Sequence, residues 1–206
     1  LLFIEHEYGR EEFVKGLKSS QKRVDSFHKK NPNYTIIHDN LKNMKDVTTS
    51  QIYQKGSWVL HMLRGVLGTK VFWEGIRAYY LKYKDLNATT EDFKKVMEEV
   101  SGFNLTTFFN QWLYRPGILK LEGEWYYDNK EAEIVLNLKQ VQDGNLVIEM
   151  PIEIGINFKS NHQKIHKIKL DSVNQAYRIK VEKEPLDISL DPNFLVLMNN
   201  SLKKMI

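Results

Sequence analysis

The 206-residue sequence contains no cysteine, and this absence excludes three kinds of chemistry. A disulfide scaffold, a thiol nucleophile and a thiolate-ligated metal site all need cysteine side chains. Long apolar runs are also missing: none approaches the roughly 20 residues that span a bilayer, and the mean hydropathy is −0.47. The sequence therefore predicts no disulfides and no membrane span.

A strong excess of one charge is absent as well. The 30 basic residues outnumber the 26 acidic residues only slightly, and the two signs are interleaved along the chain. Nucleic-acid-binding domains usually carry a clustered basic surface. The composition therefore argues against a nucleic-acid partner, while an apolar fraction of 42% suffices for a buried core in one or two domains.

Signature motifs of several common catalytic sites are missing too. Glycine-rich phosphate loops and the Gly-x-Ser-x-Gly elbow do not occur. Residues 6–10 come nearest to the His-Glu-x-x-His of zinc peptidases, but the guanidinium of Arg10 cannot ligate zinc. On a strand, His162 and His166 lie too far apart to share a metal ion unless a turn folds them together. We therefore expect His6 on the surface and no metal site within these residues.

The chain opens on an apolar segment, residues 1–4, that runs directly into Glu5. This opening has no initiator Met, no basic stretch and no small residues typical of a signal-peptide cleavage site. We interpret it as the interior of a longer helix, and the chain as a fragment of a larger protein.

The sequence changes character at Pro116-Gly117. Before this point, apolar residues recur at three- and four-residue spacing, which is typical of amphipathic helices. After it, apolar and polar residues alternate with a period of two, which is typical of half-buried strands. We therefore predict an α+β chain with an all-α domain over residues 1–116 and a β domain over residues 117–206.

Capping chemistry predicts several helix boundaries in the first domain. Thr89, with Asp92 three residues later, has the spacing of a capping box and predicts a helix start. Gly68 predicts the end of the helix that carries the apolar stripe from residue 52 to residue 67. Asn104 is expected to cap a further short helix.

About seven short strands are expected in the second domain, at the turn spacing of a fibronectin- or immunoglobulin-like antiparallel β-sandwich. The clearest alternating run covers residues 146–158. Pro151 lies in the polar register of this run and predicts an edge position or a bulge that divides it into two strands. Turns are predicted at residues 128–129, 143–144 and 160–161.

One segment of the helical domain, residues 52–64, carries a more specific pattern. Its tetrapeptide at 53–56, Tyr-Gln-Lys-Gly, resembles the Tyr-Glu-Lys-Gly helix of the aminopeptidase N family of zinc metallopeptidases, the gluzincins. The resemblance continues in the order that family uses, through residues 67–68, 87–93, 101–105, 108–113 and 116–117. The β domain is similar, more loosely, to the β-sandwich that follows the catalytic domain in many members.

This resemblance implies that residues 1–116 are the C-terminal half of a thermolysin-like catalytic domain. In the family, a zinc ion held by two His and a Glu activates water, a Glu acts as general base, and a Tyr helps to stabilise the oxyanion. The residue that matches this Tyr is Tyr53. Its role is chemically reasonable, since a phenol stays protonated at neutral pH and can donate a hydrogen bond to the oxyanion. Considered without the resemblance, Tyr53 would be interpreted as a partly buried packing residue.

The neighbours of Tyr53 leave some questions open. Gln54 replaces the commoner Glu, at a position that is not a metal ligand in the family. Gly56 is expected to allow a close helix approach. For Lys55, a solvated side chain and a role at the site are both open.

The zinc ligands, the general base and the Gly-x-Met-Glu-Asn substrate loop of the family would all lie upstream of Leu1. We therefore expect zinc and peptide substrates only for the full-length protein, as an aminopeptidase, and expect this fragment alone to bind no zinc and cleave nothing. Two alternatives stay open. One is a non-catalytic relative that acts as a scaffold or interaction module; the other is an independent binding sandwich, which needs exposed aromatics in a row at Trp125, Tyr126 and Tyr127.

Overall fold

The structure, a computed structural model, describes residues 2–38, 48–159 and 162–205. These residues form an α+β fold in which the chain divides into two compact units, residues 1–116 and 117–206. Helices occupy the first unit and strands occupy the second. The turn predicted at residues 160–161 lies outside the described residues.

The described part of the helical unit contains five α-helices: α1 (Leu2–Lys30), α2 (Ser50–Leu67), α3 (Thr69–Tyr83), α4 (Thr90–Ser101) and α5 (Thr106–Leu113). Gly9 interrupts α1 with non-helical angles (φ 83°, ψ 177°), so two helical segments meet there. The helices α1 to α4 pack each against the next in the chain, and α2 also contacts α5. None of these described helices is long and apolar enough to cross a bilayer.

Capping residues explain where the later helices begin. Thr89 and Asp92 form the predicted capping box: the Asp92 N–H donates to Thr89 Oγ1 at 3.2 Å, and the Thr89 N–H donates to Asp92 at 2.8 Å. The start of α5 lies one residue later than predicted, because Leu105 is its N-cap. Asn104 still contributes, since its Oδ1 accepts the Thr106 N–H at 2.9 Å.

Large apolar side chains form the core of the helical unit. The most completely buried among them are Phe13, Leu17, Trp58, Met62, Leu63, Phe72, Met97 and Trp112. Burial of such a side chain stabilises a fold by roughly 1.5–3 kcal/mol. The core therefore joins residues from all five helices.

Seven strands form two sheets in the described part of the second unit: β1 (Leu119–Asp128), β2 (Glu133–Gln140), β3 (Met150–Asn157), β4 (Gln163–Leu170), β5 (Asn174–Lys180), β6 (Asp187–Leu190) and β7 (Met198–Lys204). The strand orders are β5-β2-β1-β7 and β4-β3-β6. Four of the pairings are antiparallel, but β7 runs parallel to β1, with Met198 opposite Leu119. The prediction of a wholly antiparallel β domain is therefore wrong at this edge.

Residues 146–149 form no strand, although their alternation predicted one. The side chain of Gln140 hydrogen-bonds to both backbone groups of Ile148: its Oε1 accepts from the N–H and its Nε2 donates to the carbonyl, each at 2.9 Å. The run therefore gives one strand, β3, rather than two. Pro151 is exposed. Strand β6 pairs only with residues 154–157 of β3, so Pro151 has no partner in β6.

Candidate active-site segment

Tyr53 lies in the first turn of α2, and it is 70% exposed. Within the described residues, its hydroxyl makes no hydrogen bond. An exposed phenol contributes little to packing, so the interpretation of Tyr53 as a partly buried packing residue does not fit the structure. The hydroxyl is free to donate to another molecule.

Hydrogen bonds from distant segments hold the backbone around Tyr53. The side chain of Thr49, the N-cap residue, makes no capping bond to α2 and instead donates to the hydroxyl of Tyr34 at 3.0 Å. Ser20 of α1 donates to the carbonyl of Gln54 at 3.4 Å. The start of α2 is therefore positioned by tertiary contacts rather than by a local side-chain cap.

Lys55 is completely buried, with 0% of its surface exposed. Its Nζ donates to the backbone carbonyl of Arg115, just beyond the end of α5, at 3.1 Å. Burial lowers the pKa of Lys55 from 10.5 to about 8, because the charged form loses its hydration. The solvated alternative for Lys55 is wrong.

The burial of the Lys55 ammonium group makes the free energy of unfolding depend on pH. Below pH 8, Lys55 is protonated in both the folded and the unfolded chain, so its desolvation opposes folding fully. Between pH 8 and 10.5, the unfolded chain binds more protons, so the free energy of unfolding rises with pH. The whole rise corresponds to about 3 kcal/mol, since one pKa unit is about 1.4 kcal/mol.

Lys55→Met is expected to remove this rise, because methionine does not titrate. Urea denaturation of both proteins at pH 7 and at pH 10 measures the effect. The variant should gain stability relative to the wild type at pH 7 and lose most of that advantage at pH 10. A stability difference that is equal at the two pH values would contradict the lowered pKa.

The expected close helix approach at Gly56 is wrong. A Cβ added to Gly56 would meet no heavy atom of another element within 4 Å. The close approach occurs instead at Gly75 of α3, where a Cβ would collide with the side chain of Met97 in α4. Nothing in the sequence near Gly75 signals this contact, because Met97 lies on the next helix.

Glu5 of α1 binds two arginines: Arg10, which follows the break at Gly9 in the same helix, and Arg64, which lies on α2. Its carboxylate accepts hydrogen bonds from Arg10 and from Arg64, each at 2.8 Å. Both guanidinium groups also lie over the ring of Phe13, at 5.1 and 5.9 Å from its centroid. Burial raises the pKa of Glu5, but the hydrogen bonds from Arg64 and Arg10 outweigh this effect and leave the pKa below its ordinary value.

Sequence reasoning missed this cluster, because Glu5 and Arg64 are 59 residues apart and no local pattern connects them. The contacts of this cluster also show why residues 6–10 do not form a metal site. Arg10, the residue in the place of the second His, is an ion-pair partner of Glu5. His6 is exposed, as predicted, and its Nδ1 lies 2.8 Å from Glu7.

A zinc site is not supplied by the described residues. Across residues 2–38, 48–159 and 162–205, no group of three or more His, Asp or Glu side chains could hold a metal ion. Zinc needs three or four such ligands around one point. The described residues therefore do not fit a zinc site.

The second unit does not present aromatics in a row at 125–127. Trp125 is 1% exposed, and the Nζ of Lys204 lies 4.9 Å from the centroid of its ring. Tyr126 is 40% exposed, and Tyr127 is half-buried. The alternative of an independent binding sandwich needed that row and does not fit the structure.

Comparison with known families gives a match over the helical unit. The model of the peptidase family M1 domain matches residues 2–112. This range contains the start of α2 with Tyr53, and it ends one residue before α5 does.

Curated proteins with similar sequences are aminopeptidases. Aminopeptidase N of Lactococcus lactis subsp. lactis is 31% identical over 111 residues, which cover 52% of this chain and 13% of that protein. Aminopeptidase M1-D of Oryza sativa subsp. japonica is 28% identical over 167 residues, which cover 77% of this chain and 19% of that protein. The chain spans less than a fifth of the length of these two relatives.

Among solved structures, the fold is similar to a crystal structure of Legionella pneumophila aminopeptidase A in complex with aspartic acid. The TM-score is 0.75 at 18% sequence identity, and the match covers 97% of this chain and 22% of that chain. At this identity the likeness is one of fold. Because the match covers 97% of this chain, the similarity extends over the helices of the first unit and the strands of the second.

Proposed function

Because this chain belongs to peptidase family M1, we propose that it is part of a longer zinc-dependent aminopeptidase that removes N-terminal residues from peptides. In this proposal the helical unit is the C-terminal part of a thermolysin-like catalytic domain. The strand unit is a fibronectin- or immunoglobulin-like β-sandwich with a structural role. The aminopeptidase names of the relatives and the fold of the solved neighbour support this assignment.

The exposed phenol of Tyr53 is the observation that carries the proposal for this chain. When water adds to a peptide carbonyl, negative charge develops on the carbonyl oxygen. The Tyr53 hydroxyl donates a hydrogen bond to that oxygen, and the bond is stronger to the charged oxygen than to the neutral carbonyl. Tyr53 thereby lowers the barrier to hydrolysis.

Zinc ligands, general base and substrate loop must come from other parts of the full-length protein in this proposal, because the described residues contain no zinc site. In the family, zinc supplies a Lewis acid and activated water. The isolated chain is therefore expected to bind no zinc tightly and to cleave no peptide. Stoichiometric zinc together with amide hydrolysis in the purified chain would contradict this expectation.

An aminopeptidase assay on the full-length protein tests the proposed function. A panel of amino-acid p-nitroanilides should be hydrolysed, whereas the same compounds with an acetylated amino group should not. Removal of zinc by a chelator should abolish the activity, and added zinc should restore it. An inactive full-length protein without bound zinc would contradict the proposal and favour the non-catalytic scaffold.

A further inference from the structure

We propose that Lys55 is a positioning residue, which orients the hydroxyl of Tyr53 by holding the first turns of α2 against the carbonyl of Arg115. The inference rests on the proposed role of Tyr53 and adds a second residue to it. It concerns the direction in which the phenol points, and Lys55 itself touches no substrate.

The first step is the placement of the two side chains on one helix. Successive helical residues are about 100° apart around the axis, so residues two positions apart lie on nearly opposite sides. Tyr53 is 70% exposed and Lys55 is 0% exposed. The same turn of α2 therefore presents the phenol outward and is held from behind by the lysine.

The second step is that the phenol has no other restraint of its own. Within the described residues, no hydrogen bond fixes the Tyr53 hydroxyl. The backbone at this turn is held by Lys55 together with Ser20, which donates to the carbonyl of Gln54 at 3.4 Å, while Thr49 provides no capping bond to α2. The helix backbone sets which rotamers the Tyr53 side chain can adopt, so a group that fixes this backbone limits the directions in which the phenol points.

The third step is the rigidity of the acceptor. The carbonyl of Arg115 belongs to the backbone and cannot rotate away as a side chain can. The preceding residues Trp112 and Leu113 are buried, and the carbonyl of Leu113 accepts the N–H of Ile37 at 3.1 Å. Lys55 therefore ties α2 to the backbone segment that directly follows these anchored residues, and its charge strengthens the hydrogen bond.

The fourth step is that stability alone does not account for a lysine at this position. A buried ammonium is costly to desolvate, and a single carbonyl is its hydrogen-bond partner among the described residues. A well-packed apolar side chain is often as stabilising as a buried charge, or more so. A role in orienting Tyr53 explains what the lysine contributes.

The test uses three variants of the full-length protein: Lys55→Met, Tyr53→Phe and the double variant. Lys55→Met should lower kcat roughly tenfold with KM nearly unchanged, because a displaced donor weakens only the transition state. Zinc content and thermal stability should not fall. In the Tyr53→Phe background, the same lysine substitution should lower kcat no further, because the lysine acts through the tyrosine.

Val59→Ala serves as a matched control, because Val59 is an apolar residue buried on the same helix, α2. It should lower stability and leave kcat unchanged, which is the opposite pattern. If Lys55→Met does not fold, Lys55→Gln replaces it, since the amide keeps an N–H donor without a charge.

Two results would overturn the inference while leaving the proposed function intact. One is wild-type kcat in Lys55→Met when Tyr53→Phe is impaired. The other is an equal loss of kcat from Lys55→Met with and without the Tyr53 hydroxyl, which would show an independent effect. If Tyr53→Phe has wild-type kcat, the proposed role of Tyr53 fails first, and the inference fails with it.

Discussion

Tyr53→Phe in the full-length protein is expected to reduce kcat by roughly a hundredfold or more at unchanged zinc content. Removal of a single oxyanion donor costs about 2.7–4 kcal/mol of transition-state stabilisation. The substitution keeps the ring and removes only a hydroxyl that makes no hydrogen bond within the described residues. Folding and ground-state binding should therefore change little, and the loss should appear in kcat rather than in KM.

Tyr80→Phe is the matched control for this prediction. Tyr80 lies on α3 and is 65% exposed, against 70% for Tyr53, so both variants lose an exposed hydroxyl. Steady-state kinetics with a zinc determination on each sample measures both variants. Wild-type kcat in Tyr53→Phe would contradict the assignment, as would a loss of activity that merely follows a loss of zinc.

Gln140→Leu is expected to lower the free energy of unfolding of the strand unit by about 3 kcal/mol, because each buried polar group left unpaired costs about 1–3 kcal/mol. Gln140 is 5% exposed, and its amide is fully used. It pairs with both backbone groups of Ile148, donates to the carbonyl of Ser172 at 3.2 Å and accepts from Gln142 at 2.6 Å. Leucine fills the space and pairs with none of these groups.

Amide hydrogen exchange in β2 and β3 measures this loss locally, so unfolding of the helical unit does not obscure it. Lys139→Leu is the control, because Lys139 is the preceding residue of β2 and is exposed. The control should change stability by no more than about 0.5 kcal/mol. Equal protection in the two variants would contradict the role of Gln140.

Features that depend on nearby residues were predictable from the sequence. The capping box of Thr89 and Asp92 uses residues three positions apart, and it forms as predicted. Gly68 ends α2 with a positive φ of 81°, which glycine adopts without steric strain. The Tyr-Gln-Lys-Gly tetrapeptide likewise indicated the family from adjacent residues, and the family match includes it.

Features that depend on distant residues were not predictable. β7 carries few apolar residues, and its parallel pairing with β1 joins segments about 80 residues apart, as Leu119 with Met198. The burial of Lys55 depends on the carbonyl of Arg115, 60 residues further along the chain. Apolar and polar residues alternate over 146–149 as in a strand. The side chain of Gln140, however, hydrogen-bonds to the backbone N–H and carbonyl of Ile148, so these groups are not available to a neighbouring strand.

A crystal structure of the full-length protein with zinc and a phosphinic pseudopeptide tests the central claim most directly, because such an inhibitor mimics the tetrahedral intermediate. We predict that the hydroxyl of Tyr53 lies about 3 Å from a phosphinyl oxygen, which is hydrogen-bonding distance. A structure in which the inhibitor binds beside zinc while the Tyr53 hydroxyl lies beyond hydrogen-bonding distance of every phosphinyl oxygen would contradict the claim.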